Sequence, residues 1–267
     1  MEVRGAVVVV TGASSGIGWG AAEAFARAGA TVVVAARRLQ RLRELEARIQ
    51  GRGGRARAMA CDVRSWDEVD ALHRGVLDEH GRCDVLVSNA GIPGGGRFED
   101  LSMERIEAVV ETNLLGVLYG AKAFLPGMLA AGRGHIVNVA SLAGRYAIPG
   151  SAVYSATKHG VVAFSEALHG EVAARGVTVT AVNPGLVQTE GFPQPAFLER
   201  VGLVITPERV ADGLVRAVRN GIGPEVSIPR WQAGFQAARV LTPRLYRRGV
   251  RRVSERFGRE GRRRPPG

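Results

Sequence analysis

From Ala6 to Ile228 short β-branched runs alternate with stretches of helical periodicity, and no other feature of the chain narrows its fold so far. Ala6–Thr11 is apolar throughout, the pattern of a strand buried on both faces. Gly16–Ala28 then places apolar residues at helical spacing. Further strands are read at Thr31–Ala35, Ala58–Asp62, Asp84–Asn89, His135–Ala140, Val177–Asn183 and Glu225–Ile228. The intervening helices are Leu39–Gln50, Ser65 to Glu79, Met103–Ala130, Ala152–Arg175 and Pro207–Asn220. Ser65 and Glu68 have the spacing of a capping box, and Pro126 bends or ends the helix it falls in. Alternation sustained this long predicts an α/β fold: a doubly wound parallel sheet with helices on both faces and ligands at the carboxyl ends of the strands. One such domain is expected at 1–230, followed by a basic helical extension at 231–267.

The net charge of +11 suggests nucleic acid until it is located. Residues 239–267 hold eleven arginines against Glu255 and Glu260, so nine of the eleven net charges lie in a tail and the body is nearly neutral. No recognition fold accompanies that charge, which argues against a nucleic-acid partner. Cys61 and Cys83 sit beside apparent strands and do not make a disulfide framework, which predicts a reducing compartment. A strand starting by residue 6 leaves no room for a leader, and no apolar run is read as reaching the roughly 18 residues of a membrane span. A soluble cytoplasmic body is expected. His135, His159 and His169 lack ligand spacing, so no metal site is expected.

The stretch TGASSGIG, Thr11–Gly18, follows the first strand directly. Gly12 falls where the chain must turn sharply, and Gly16 and Gly18 fall at the entrance to a helix, where a side chain would hold a ligand off the backbone. Free N–H groups and the helix dipole there favour an anion such as a pyrophosphate. A tight strand–helix turn with no ligand is the alternative. The second strand runs into Ala36, Arg37 and Arg38, with alanine where an acid would select NAD. A guanidinium there suits a 2′-phosphate, so NADP(H) is the expected cofactor; the alternative is a pair of solvated helix-start arginines.

YSATK puts Tyr154 and Lys158 four residues apart at the start of a helix, on one face. Only Lys122 and Lys158 among the 36 basic residues are lysine. A nearby ammonium is expected to lower a tyrosine pKa and fit it for proton transfer at an alcohol oxygen. Together with TGASSGIG, NAG (Asn89–Gly91), Asn113 in ETNLLGV, Ser141 after the fifth strand and NPGLVQT after the sixth, this pattern resembles the short-chain dehydrogenase/reductase family over roughly residues 5–228.

The resemblance implies catalytic roles residue by residue. Tyr154 is the general acid or base, Lys158 lowers its pKa and bonds the nicotinamide ribose, Ser141 holds the substrate oxygen, and Asn113 positions a water relaying protons to Lys158. It also implies cofactor contacts at Gly12, Ser14, Ser15, Gly16, Ile17, Gly18, Arg37, Arg38, Asp62, Val63, Asn89, Ala90, Gly91, Pro184, Gly185, Val187 and Thr189. Asp62 and Val63 flank the adenine, and Thr189 holds the carboxamide. Ser141 could instead cap its loop, Asn113 could be a tolerated polar residue, and Asn89 has a structural task binding backbone across the central strands.

In the family the segment at 186–206 closes over the substrate; here it contains Phe192, Pro193, Pro195, Phe197, Leu198, Val201, Leu203 and Val204, which suits a lipophilic carbonyl or alcohol. Packing of these residues on the body is the alternative. Beyond Trp231 the apolar residues Leu245, Tyr246, Val250, Val253 and Phe257 interleave with arginines as in a basic amphipathic helix, which can lie on an anionic membrane surface, pack on the substrate loop or a second subunit, or stay solvated. The family pairs its long helices between subunits, which implies a homo-oligomer. A reductase of lipophilic carbonyls is therefore expected, with a 3-oxoacyl thioester reductase and a non-catalytic NADPH sensor as alternatives.

Overall fold

The structure, a computed structural model, describes residues 1–190, 204–232 and 241–242. Strands occur at β1 (Val7–Thr11), β2 (Thr31–Ala36), β3 (Arg55–Ala60), β4 (Val85–Ser88), β5 (Gly134–Val139), β6 (Val177–Pro184), β7 (Leu186–Val187), β8 (Val204–Ile205) and β9 (Glu225–Ile228). Seven of them form one parallel sheet in the order β3-β2-β1-β4-β5-β6-β9, and β7 and β8 pair as a separate parallel ladder. Strand order reverses between β1 and β4, so a crevice opens where their carboxyl ends diverge.

Successive strand side chains point to opposite faces, and both faces are covered. On one, Val8, Val10, Val32 and Val34 pack against Phe25 of α1 (Gly16–Arg27), Leu42 and Leu45 of α2 (Leu39–Gln50), and Leu214 of the helix Pro207–Arg219. On the other, Val7, Val9, Leu86 and Ile136 meet Leu72 and Val76 of α3 (Trp66–His80), Phe124 and Met128 of the helix ending at Ala130, and Leu168 of the helix Ala152–Val172. The expected doubly wound architecture is the observed one. The apolar lid residues from Phe192 to Leu203 and the arginine-rich tail lie outside the described residues.

Several local expectations need correction. β3 begins at Arg55 rather than Ala58, because at the sheet edge Arg55 and Arg57 point to solvent while Ala56 between them is buried. β3 also ends at Ala60, so Asp62 lies past the strand. Ser65 Oγ accepts from Glu68 N–H at 3.3 Å, but Glu68 does not complete the capping box: its Oε2 accepts from Asp62 N–H at 2.8 Å. Pro126 does not end its helix. The segment Met103–Ala130 runs as α4 (Met103–Val110), a π turn (Glu111–Leu115) and α5 (Gly116–Ala130). By length and composition this segment could cross a membrane, contrary to expectation. Its apolar stripe is spent on the sheet, with Ala121, Phe124 and Met128 in the core beside Leu86 and Ile136. The next helices are α6 (Ala152–Val172) and α7 (Pro207–Arg219); α7 starts with Thr206 Oγ1 accepting from Arg209 N–H and Pro207 in its first turn.

Candidate active site

The glycine-rich turn is built by close backbone approach. Gly12 follows β1 with φ +65°, and a Cβ there would lie 2.6 Å from Ala90 Cα. A Cβ on Gly18 would lie 2.4 Å from Gly12 O and 2.5 Å from Asn89 Nδ2. Gly18 is thus required by the turn itself and stands behind the residues that line the cleft. Asn89 supplies the tie across strands: its Nδ2 donates to Thr11 O at 3.0 Å and Gly12 O at 3.3 Å, while Thr11 Oγ1 accepts from Asn89 N–H and Ala90 N–H. The first N–H groups of α1 have no intrahelical acceptor and face this turn.

At the second strand Arg38 folds over the turn. Its Nε and Nη2 donate to Ser14 Oγ at 3.2 and 3.1 Å, and Nη2 donates to Ser15 Oγ at 3.0 Å. Arg37 remains exposed, where its charge helps Arg64 hold the Asp62 carboxyl below the usual range. The dominant cause is the hydrogen-bonded fork from Arg64, with Nη2 to Asp62 Oδ2 at 2.7 Å.

The reacting groups converge from β5 and α6. Ser141 follows β5 in extended backbone, and its Oγ accepts from Ala143 N–H at 3.1 Å. That occupies an acceptor site and leaves the hydroxyl hydrogen for Tyr154, with which Ser141 is hydrogen-bonded. Tyr154 and Lys158 occupy successive turns of α6, with Lys158 Nζ 5.8 Å from the Tyr154 ring centroid. Burial raises the Tyr154 pKa, and the Ser141 hydrogen bond pulls it back. The expected lowering by Lys158 is not the governing effect, because the ammonium is aimed elsewhere: Nζ donates to Val139 O at 2.8 Å. Burial in turn lowers the Lys158 pKa to about 8.

Asn113 is fully buried at the π turn, which swings its side chain toward β4. It clamps one residue twice: Oδ1 accepts from Ile92 N–H at 2.8 Å and Nδ2 donates to Ile92 O at 2.9 Å. A Cβ on Gly91 would stand 3.4 Å from Asn113 Oδ1 and 3.7 Å from Lys158 Nζ, so both groups border the space that glycine leaves open. Arg105 of α4 donates to Pro93 O, fixing the same loop as it passes Tyr154.

A cleft of about 590 Å3 joins the two ends. Ser14, Ser15, Gly16, Ile17, Arg37 and Arg38 line one end and Ser141, Tyr154 and Lys158 the other. Between them lie Gly12, Asp62, Val63, Asn89, Ala90 and Gly91, with Pro184, Gly185, Val187 and Thr189 along the β6 side. Of the residues expected at the site, Gly18 and Asn113 alone stand behind this lining. Ile92, Pro93, Ile148, Ser151 and Glu190 line it without having been singled out from the sequence. A signal for the first two existed in Gly94-Gly95-Gly96: a Cβ on Gly94 would lie 3.1 Å from Tyr154 Cβ, a close backbone approach that the glycine run permits. Among the described residues no cluster could hold a metal ion.

The chain as a whole is similar to known proteins. A family model described as short chain dehydrogenase matches residues 6–194. The ketoacyl reductase HetN of Nostoc sp. strain PCC 7120 is 36% identical over 220 residues, covering 82% of this chain and 77% of that protein. A metagenomic short-chain oxidoreductase crystallised with NADP superposes with a TM-score of 0.73 at 36% identity, covering 85% of this chain and 97% of that one. An actinorhodin polyketide ketoreductase variant with NADPH gives 0.76 at 37% identity, covering 84% and 95%. The chain belongs to the short-chain dehydrogenase/reductase family and is an oxidoreductase of that class.

Proposed function

We propose that this protein uses NADP(H) to interconvert a carbonyl and an alcohol on a lipophilic substrate. The observation that carries the proposal is one continuous cleft with Arg38, Ser14 and Ser15 at one end and the hydrogen-bonded Ser141–Tyr154 pair beside Lys158 at the other. The cradle fits a dinucleotide: bare backbone at Gly12 and Gly16, the unpaired start of α1 for a pyrophosphate, and a guanidinium for a 2′-phosphate. The two neighbours crystallised with NADP and NADPH support the same cofactor.

When bound, the dinucleotide supplies or accepts the hydride at its nicotinamide. The chain supplies the proton and the geometry. Ser141 donates a hydrogen bond that polarises the substrate oxygen, and Tyr154 delivers its phenolic proton to that oxygen in reduction or removes it in oxidation. Lys158, charged below about pH 8 and held by Val139 O, is placed to bond the nicotinamide ribose, while the Ser141 hydrogen bond favours the phenolate left behind. Asn113 borders the space beside Lys158 through which a water relay returns the proton. Ile92, Pro93 and Ile148 give the substrate end an apolar wall.

A second reading, reduction of a 3-oxoacyl thioester, is favoured by the relatives named as ketoacyl and polyketide ketoreductases. NADPH oxidation against aldehydes, lipophilic ketones, steroids and 3-oxoacyl thioesters separates the two by the preferred substrate. Tyr154→Phe abolishes turnover and keeps NADPH affinity; turnover that persists in this variant removes Tyr154 from the mechanism.

A further inference from the structure

Arg38 makes one contact that a phosphate-binding arginine does not need. Besides its bonds to Ser14 and Ser15, its Nη1 reaches Glu190 Oε1 at 3.3 Å, across the mouth of the glycine-rich turn. Glu190 comes from the opposite wall, on the chain leaving β7. It follows Thr189, whose Cγ2 stands 3.1 Å from where a Gly16 Cβ would be. Arg38 and Glu190 therefore straddle the glycine-rich turn, and both line the cleft.

We propose that Glu190 is a specificity-determining residue: its carboxylate holds the Arg38 guanidinium that a 2′-phosphate would take, so Glu190 sets how strongly the site prefers a 2′-phosphorylated dinucleotide. The proposal rests on the NADP(H) reading above. To receive the phosphate, Arg38 must exchange one anion for another, and a carboxylate left within a few ångströms of the newcomer repels it. A dinucleotide with a free 2′-hydroxyl makes no such demand on Arg38. The effect is small, because the Arg38 and Glu190 side chains are 49% and 63% exposed and water screens the pair. Removing the Glu190 charge shifts the competition about threefold, the scale of an exposed ion pair.

Equilibrium titration of NADPH and NADH into wild type, Glu190→Gln, Arg38→Ala and the double variant tests this, read as protein fluorescence or heat. The expected result is a wild type that prefers NADPH and a Glu190→Gln protein whose NADPH affinity rises about threefold, with NADH unchanged. The gain disappears when Arg38 is alanine and narrows as salt is raised. Equal wild-type affinity for the two dinucleotides overturns the cofactor reading and this proposal with it. A wild type that prefers NADPH, with an unaltered preference in Glu190→Gln, overturns the proposal alone. So does a gain shared equally by NADH or one that survives Arg38→Ala, since either reduces Glu190 to general repulsion of any pyrophosphate.

Discussion

Gly12 is held by both dihedral and space. Its φ of +65° costs an L-residue about 1–2 kcal/mol, and a methyl group would meet the backbone of Ala90 at 2.6 Å. Gly12→Ala is expected to lose at least about 2 kcal/mol in urea unfolding and to weaken dinucleotide binding further, because β1 and the Asn89–Ala90 turn must part. Lys158 carries its strain in charge instead. Its folded pKa of about 8 lies below the ordinary 10.5, so between those values only the unfolded chain keeps the proton. The burial cost is fully present below pH 8 and is relieved as pH rises toward 10.5. Lys158→Met should therefore gain stability relative to wild type at pH 7 and lose most of that advantage by pH 10.5. The change is on the order of 3 kcal/mol, checked by denaturant midpoints across that range.

The helix Met103–Ala130 shows what an element can hide. Its sequence reads as one long helix interrupted only at Pro126, yet the break lies at Glu111–Leu115, where a π turn brings Asn113 inward onto the loop after β4. Asn113→Ala is expected to cost about 1–3 kcal/mol through the unpaired Ile92 backbone, while turnover falls more steeply than stability; melting curves and kcat on the same preparations check this. The strand–helix order was legible, because parallel strands buried on both faces and a turn at 12–18 leave strong local patterns; the family resemblance supplied most of the expected cleft residues, and it did not reach Ile92, Pro93, Ile148, Ser151 or Glu190. Other features depend on partners far along the chain. The start of β3 depends on lying at the sheet edge, Glu68 is drawn to Asp62, and Gly18 answers to Asn89. The tyrosine pKa likewise depends on burial and on the Val139 carbonyl of β5, which holds the Lys158 ammonium of α6.

At the scale of the molecule, charge and chemistry are separated along the chain. Among the described residues those lining the cleft fall between Gly12 and Glu190, whereas nine of the eleven net positive charges belong to 239–267. Removing 239–267 is therefore expected to abolish co-sedimentation with anionic vesicles at low salt while sparing turnover. Equal recovery of both forms in the supernatant would exclude the membrane surface as a partner of the tail.

The packing of α1 on α7 ties the beginning of the cleft to a late part of the chain. Gly20 lets α7 approach until a Cβ there would be 3.6 Å from Ala211 Cβ, and Phe25 and Leu214 share one core cluster. On the ribosome, the glycine-rich turn, Tyr154 and Lys158 all emerge before α7 exists to cover α1. A nascent chain halted before Pro207 carries every reacting group and still displays the bare apolar flank of its first helix. Such a chain is expected to hold its first helix, and with it the glycine-rich turn, less firmly than one translated through α7.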